Sequence, residues 1–220
     1  MTGLTQRILI LLFLLAIAFP AFNQSASENS SPHYLFPQFK KGSVKMLRGK
    51  VNETVLNYNM VTEEMVFSQN GKMLALDQIE TVDTIFIEDR KFIPVGKKFY
   101  EVAYLSPISL FIQHKKKLNP AGKPAGYGGT TQTSAVTSAS TWNDTGGIYK
   151  LDLPSNYVIS DASVYWIKSN DGWHSFTNER QFLKIFPERS NDIKKFIKAN
   201  HLNIKKLDDL KVLMKYLNEI

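Results

Sequence analysis

Glycine and small hydroxyl residues are concentrated in one segment, GYGGTTQTSAVTSAS, which spans residues 126–140. Such segments bind phosphate when spacing and flanking elements place several backbone N–H groups around it. A P-loop also needs Gly-Lys followed by Ser or Thr, and Thr131 stands where a dinucleotide fingerprint needs its third glycine. We therefore predict no nucleotide site here. The segment is a long connecting loop, either a plain connection or a surface that becomes ordered on a partner.

Residues suited to acid–base or metal chemistry are widely separated in the sequence. No two of the four histidines stand at the spacing of a metal-binding helix, and the chain contains no cysteine. The G-x-S-x-G motif of serine hydrolases is absent as well. We predict no catalytic residue, no metal site and no cofactor. A hydrolase site built from loop residues, such as His174 with Asp161 or Asp171, is the alternative.

Two adjacent carboxylates, Glu63 and Glu64, follow a predicted strand. Carboxylate pairs catalyse glycoside hydrolysis when both point at the same bond. Adjacent residues on a strand point to opposite faces, and in a turn both carboxylates would be solvated. We therefore expect no catalysis from this pair.

A basic run, Lys115, Lys116 and Lys117, lies in a segment, residues 102–143, that contains no acidic residue. Tyr127 and Trp142 follow it in the predicted loop, where an aromatic ring could contact a ligand. We predict these five residues as a binding surface for an anionic partner. Candidate partners are an acidic glycan, lipopolysaccharide or an acidic protein surface.

The N-terminal segment predicts where the protein is located. Arg7 precedes an unbroken apolar run at residues 8–19, and Pro20 and small residues follow. This is the pattern of a cleaved secretory signal, here residues 1–26. The run is shorter than the roughly 20 residues that a bilayer requires, so we expect no transmembrane span in the mature form. We predict an exported protein, either periplasmic or secreted, or associated with the cell envelope.

The hydrophobic period divides the rest of the chain into four regions. Residues 33–118 alternate as in antiparallel strands, and 119–147 form a loop rich in Gly, Ser and Thr. Residues 148–177 return to a β-hairpin that continues the sheet, and 178–220 change to a helical period. The fold class is therefore α+β. We expect a mainly antiparallel β meander, with six to eight strands before the loop, as an open sheet or partial barrel, and with two or three C-terminal helices.

Two dipeptide signals locate hairpin turns. Asn70-Gly71 favours a type I′ turn, because both residues accept positive φ. Asn170-Asp171-Gly172 marks a second turn, which Trp166 and Trp173 flank. A tryptophan in a hairpin strand is more often a core residue than an exposed one, so we expect both in the core.

The segments LNYNMVTEEMVF, GYGGTTQTSAVTS, VYWI and KFIKANHLNIKKLDDLKVLMKYLNE resemble a group of exported proteins of Bacteroidetes-type bacteria. That group has a β-rich body, a Tyr-Gly-Gly-Thr loop and a helical tail. The resemblance implies the bacterial compartment and the layout, and it transfers no catalytic residues because the group has no assigned activity.

From these observations we expect an exported, non-enzymatic binding or envelope-associated module. Nucleic acid is excluded as a partner by export and by the lack of a densely basic helix. Besides the loop-built hydrolase, a second alternative is an accessory subunit of an envelope complex, with the apolar helical tail as its docking element.

Overall fold

The computed structural model describes residues 32–120, 123–124, 130–131 and 157–219. The predicted signal peptide and the predicted site residues Tyr127 and Trp142 lie outside the described residues. The described residues form fourteen β-strands, a short 3-10 helix and three α-helices. They confirm the predicted α+β fold with a mainly antiparallel sheet.

The first four strands pair in sequence order. They are β1 (Lys40–Met46), β2 (Val51–Asn59), β3 (Glu64–Gln69) and β4 (Lys72–Ala75). Asn70 and Gly71 connect β3 to β4, with φ angles of 52° and 74°. Two successive positive φ angles are typical of the type I′ turn, whose twist matches that of the flanking strands. The predicted Asn-Gly hairpin is therefore confirmed.

A second run of four strands begins after the 3-10 turn at Ile79–Thr81. It comprises β5 (Val82–Ile87), β6 (Arg90–Val95), β7 (Lys98–Tyr104) and β8 (Ser109–Gln113). The first of these strands pairs with β1 and not with β4, so the predicted meander is interrupted once. A strand has two hydrogen-bonding edges, and β2 occupies only one edge of β1. The other edge of β1 therefore needs a partner, which β5 supplies.

The remaining strands form two separate two-stranded ribbons and complete the main sheet. They are β9 (Lys116–Pro120), β10 (Lys123–Pro124), β11 (Thr130–Thr131), β12 (Tyr157–Asp161), β13 (Val164–Ser169) and β14 (Gly172–Phe176). The strand pair β9–β12 extends the strand pair β8–β13 beyond the main sheet. Between the two strand pairs, the backbone N–H of Ala162 donates a hydrogen bond to the carbonyl oxygen of Lys115. β14 pairs with β13, as the second predicted hairpin requires.

The main sheet has ten strands, of which β1–β8 agree with the six to eight expected before the loop and β13 and β14 come from the predicted hairpin. Their order is β14-β13-β8-β7-β6-β5-β1-β2-β3-β4, and every pair is antiparallel. The sheet is open, with β14 at one edge and β4 at the other.

The β1–β7 half of the sheet curls around a first core. The rings of Tyr58 on β2 and Phe92 on β6 lie 6.3 Å apart, although three strand spacings, about 14 Å, would separate them in a flat sheet. Gly42 allows β1 to approach β5, because a Cβ there would overlap the carbonyl oxygen of Phe86. The first core comprises Phe36, Val44, Leu56, Tyr58, Met60, Met65, Val82, Ile85, Ile87, Phe92 and Phe99.

Three helices cover one face of the other half of the sheet. They are α1 (Glu179–Ile185), α2 (Ser190–Ala199) and α3 (Leu207–Glu219). The Asn218 side chain bonds both the backbone N–H and the carbonyl of Ile108, at 2.9 and 3.0 Å, and so ties α3 to the sheet. No helix among the described residues is long and apolar enough to cross a membrane. The second core comprises Leu110, Ile167, Phe176, Phe182, Leu183, Ile193, Ile197, Ile204, Leu210, Leu213, Met214 and Leu217.

Candidate functional site

The face of the sheet opposite the helices carries a group of aromatic side chains. Ile167 on β13 belongs to the helix-covered core. Successive residues on a strand point to opposite faces, so Trp166 points away from the helices. The strand registers place Tyr100, Phe111 and Trp173 on the same face as Trp166. We call these four residues the aromatic strip.

The rings of the aromatic strip contact one another. Tyr100 stacks on Trp166 with centroids 5.6 Å apart, and Phe111 lies 4.7 Å from Trp173. The two indoles meet nearly at right angles with their centroids 6.5 Å apart. Tyr100 and Phe111 are buried, whereas both indoles are half-buried. The phenyl and phenol rings therefore form a floor, and the indoles lie at the surface with the ammonium of Lys168 5.5 Å from the Trp173 ring.

The expectation that Trp166 and Trp173 are core residues is wrong. Both are half-buried, and neither belongs to the core clusters of the described residues. The reason is the register of the hairpin, which gives the helix-covered face to Tyr165 and Ile167 and leaves the other face to the tryptophans. A run of consecutive apolar residues such as VYWI does not reveal which face is covered.

A chain of hydrogen bonds fixes the orientation of Trp166. Its indole N–H donates to Oε1 of Gln113 at 3.0 Å. The Nε2 of Gln113 in turn donates to Oε2 of Glu63. One orientation of the Gln113 amide serves both bonds, because the amide carries an acceptor and a donor. We call Trp166, Gln113 and Glu63 the polar relay.

Glu63, at the end of the relay, is buried and holds two lysines. The side chain is 5 % exposed, and its Oε1 lies 2.7 Å from the Nζ of Lys98 and 2.9 Å from that of Lys115. Burial raises the pKa of Glu63, but hydrogen bonds from Lys98, Gln113 and Lys115 outweigh burial and hold the pKa below its usual value. The backbone φ of Glu63 is +61°, a conformation that non-glycine residues rarely adopt.

The expectation that Glu63 would be solvated in a turn is therefore wrong. The residue lies between β2 and β3, but its partners Lys98 and Gln113 are 35 and 50 residues away in sequence. No local pattern signals such an interaction. A positive φ is also invisible in the sequence when the residue is neither Gly nor Asn.

The predicted basic run is divided between three environments. Lys115 is paired with Glu63, and the Nζ of Lys116 donates to the backbone carbonyl of Pro32 at 2.6 Å. Lys117 is exposed on β9. The structure thus leaves Lys117 as the most accessible charge of the run, and the role of the run in binding stays a prediction.

No hydrogen bond or ion pair of the described residues joins His174 to Asp161 or Asp171, the residues of the hydrolase alternative. Asp161 accepts a hydrogen bond from Ser163 at 2.8 Å. His174 points to the helix-covered face, because it is the cross-strand partner of Ile167. Asp171 lies in the turn between β13 and β14. Within the described ranges, no group of three His, Asp or Glu side chains is placed to hold a metal ion.

A different histidine does contact a carboxylate. His114 Nε2 lies 2.5 Å from Oε2 of Glu101, and the Arg90 guanidinium binds both oxygens of the same carboxylate. Burial opposes ionisation of Glu101, but hydrogen bonds from His114 and Arg90 lower its pKa to about 2. A carboxylate held as an anion by a guanidinium is suited to a structural ion network more than to proton transfer near neutral pH.

Comparison with protein-family models, with curated proteins and with solved structures found no match to this chain. The proposed relation to the Bacteroidetes-type exported group therefore rests on the sequence segments alone. What the site can bind follows from the geometry of the aromatic strip and the polar relay.

Proposed function

We propose that this protein is an exported, non-enzymatic module that binds carbohydrate chains on the aromatic strip. The observation that carries the proposal is the pair of half-buried indoles of Trp166 and Trp173, which lie in edge-to-face contact on the face opposite the helices. An aromatic ring offers a flat apolar surface, and Trp and Tyr add a polar group at the edge. The C–H face of a pyranose can stack on such a ring while its hydroxyl groups remain in water.

The rigidity of the strip supports a binding role. Tyr100 stacks beneath Trp166, and the polar relay fixes the indole from its edge. A ring that is already ordered loses little conformational entropy when a ligand binds.

Carbohydrate is preferred to single-stranded nucleic acid as the ligand. Nucleic-acid binders also stack bases on aromatic residues of a sheet, and they line the surface with cations that neutralise phosphates. Here Lys98 and Lys115 are paired with the buried carboxylate of Glu63, whereas Lys168 stays beside Trp173. Such local charge suits a separate anionic substituent more than a continuous row of phosphates. The proposed export further separates the protein from cytosolic nucleic acid.

The accessory-subunit alternative would need a surface other than the apolar stripes of the helices. Leu210, Leu213, Met214 and Leu217 of α3 are buried against the sheet of the same chain. An apolar face that is already covered is not available to a second protein.

Trp173→Ala tests the proposal. Truncation of a central aromatic contact costs about 2 kcal/mol, or roughly a 30-fold loss of affinity. The measurement is isothermal titration calorimetry against a panel of soluble neutral and acidic polysaccharides, with a poly(dT) oligonucleotide included. Val212→Ala, which alters an exposed apolar residue on α3, is the matched control and should bind like the wild type.

Two results would contradict the proposal. In the first, Trp173→Ala binds polysaccharide as tightly as the wild type. In the second, the wild type binds the oligonucleotide and none of the polysaccharides, in which case the strip would be a nucleic-acid surface.

A further inference from the structure

We infer that a cleft beside the aromatic strip receives the carboxylate or sulfate of an acidic sugar, with Lys91 and Lys168 as its receptors. This inference rests on the proposed function, because it assigns the charge of the ligand that the strip holds. It places the anion site at two lysines that the sequence did not single out.

The cleft adjoins the strip and has a volume of about 310 Å³. It shares Phe111 with the strip, and Lys168 lies both at the cleft and over the ring of Trp173. A sugar ring stacked on Trp173 would therefore place a neighbouring substituent at the cleft.

An irregularity in β7 leaves room for the cleft next to the strip. The register between β7 and β8 shifts between Val102 and Tyr104, so that Tyr104 lies opposite Leu110 and packs into the helix-covered core. A bulge of this kind bends a strand and redirects its side chains. Tyr104 is therefore absent from the face that carries Val102, and the cleft lies there with Val102 and Phe111 in its lining.

The cleft carries two positive charges, Lys91 and Lys168. Both line it, and neither forms an ion pair with a carboxylate of the described residues. The carboxylate of Asp83 interacts electrostatically with Lys91, but its own ion pair, at 2.9 Å, is with Lys45. Lys98 and Lys115, by contrast, share the buried carboxylate of Glu63.

The chemistry of the lining selects an anion attached to an apolar ring. An ammonium on a flexible stem is a compact point charge that adapts to carboxylate or sulfate. Ile93, Val102 and Phe111 supply apolar contact for the ring that carries the anion. A fully apolar ligand would leave both lysines unused, and a small inorganic anion would leave the apolar lining unused.

The test compares matched acidic and neutral polysaccharides. Affinities of the full chain are measured for polygalacturonate and its methyl ester, and for dextran sulfate and dextran, at two salt concentrations. The double variant Lys91→Gln/Lys168→Gln should lose about tenfold in affinity for the two acidic polymers, since ion pairs at the surface of a protein contribute modestly to binding. The quantity compared is the ratio of acidic to neutral affinity within each pair of polymers, because Lys168 also contacts the ring of Trp173. The first pair of polymers tests a carboxylate as the ligand and the second pair a sulfate.

Two control variants separate the effect of charge from that of shape and fold. Lys91→Arg/Lys168→Arg retains both charges and should keep the acidic preference. Lys211→Gln removes one exposed charge from α3 and should behave as the wild type. Circular dichroism of each variant verifies that the fold is intact.

The outcomes separate this inference from the proposed function. If the Gln double variant keeps the acidic preference while Trp173→Ala weakens binding of every polymer, the inference is overturned and the proposed function stands. A wild type without acidic preference overturns the inference in the same way. If Trp173→Ala has no effect on any polymer, both fail. Loss of the acidic preference in the Gln double variant, together with its retention in the Arg double variant, supports both.

Discussion

The residues that matter most at the candidate site are paired with partners far away in the sequence. Glu63 lies in a turn, yet its carboxylate binds three side chains that are distant in sequence. They are Lys98 on β7, Gln113 on β8 and Lys115, which follows β8. Burying a carboxylate is costly unless it is both paired and hydrogen-bonded, and these three donors satisfy that condition. The positive φ of Glu63 is tolerated because the contacts hold the residue in place.

Gln113→Leu should release Trp166 from the polar relay. The substitution leaves the indole N–H and one oxygen of Glu63 without their donor or acceptor partner, which costs about 2 kcal/mol of stability. Stability is measured by urea denaturation, and the indole environment by the Trp166 Nε1–H resonance in an NMR spectrum. Gln69→Leu, at the exposed end of β3, is the matched control and should change neither quantity. An unmoved Trp166 resonance in Gln113→Leu would show that the relay does not orient the ring.

At the scale of elements, the hairpin β13–β14 determines which residues are available for binding. The period-two alternation sends Ile167 and Phe176 into the helix-covered core and leaves Trp166 and Trp173 on the opposite face. The helices therefore act on the site indirectly. They bury the face of the hairpin that carries Ile167 and Phe176, and so leave the face with Trp166 and Trp173 uncovered by helices.

The helices should prove integral to the sheet and not a detachable tail. Leu213→Ala, in the second core, is expected to cost about 3 kcal/mol, whereas Val212→Ala at the exposed neighbouring position should stay within about 0.5 kcal/mol. Deletion of residues 188–220 should abolish cooperative urea unfolding, because it uncovers Leu110 and Ile167. A truncated sheet that still unfolds cooperatively would instead favour the accessory-subunit alternative, with the helices as a docking element.

Across the whole molecule, an ion network lies between the two cores. Arg90 lies over the rings of Phe36 and Phe92 of the first core, at 5.1 and 5.6 Å. Glu101, which forms the ion pair with Arg90, lies opposite Ile112 in the register of β7 with β8. Ile112 in turn lies opposite Tyr165 of β13, which packs against the second core. The contact that joins the two halves of the sheet is the one from His114, which follows β8, to Glu101 on β7. Removal of one partner would leave a buried charge uncompensated, which is costly.

Acid should weaken the molecule through this network. The pKa of Glu101 falls from its usual 4.5 to about 2, so its contribution to stability is complete above pH 4.5 and is lost as the pH falls toward 2. The share of Glu101 is on the order of 3 kcal/mol. It is measured as the difference between the wild type and Glu101→Gln in how far the free energy of unfolding in urea falls between pH 7 and pH 2. Glu101→Gln should be less stable at pH 7 and show a shallower acid dependence. Glu219→Gln, an exposed carboxylate, should follow the wild type, and an equal acid slope in Glu101→Gln would contradict the assignment.

The features of the fold that the sequence predicted are those that depend on residues close together in the chain. Asn70 and Gly71 predicted a type I′ hairpin, and the turn at residues 170–172 predicted β13–β14, because turn geometry depends on the φ angles of two residues. Helical periodicity in the last forty residues predicted two or three helices for the same reason, and the structure has three there. The pairing of β5 with β1 escaped prediction, since strand pairing across the chain leaves no local signature.

The sequence by itself determined the strand and helix types, the sharp turns and the absence of cysteine chemistry, because these follow from residue identity and short-range backbone geometry. Only the tertiary structure decided which face of each strand the helices cover. That choice placed Trp166 and Trp173 at the surface, buried Glu63 among its lysines, and put Lys91 and Lys168 at the cleft beside the strip. The physical reason is that burial and charge pairing depend on residues brought together from distant parts of the chain.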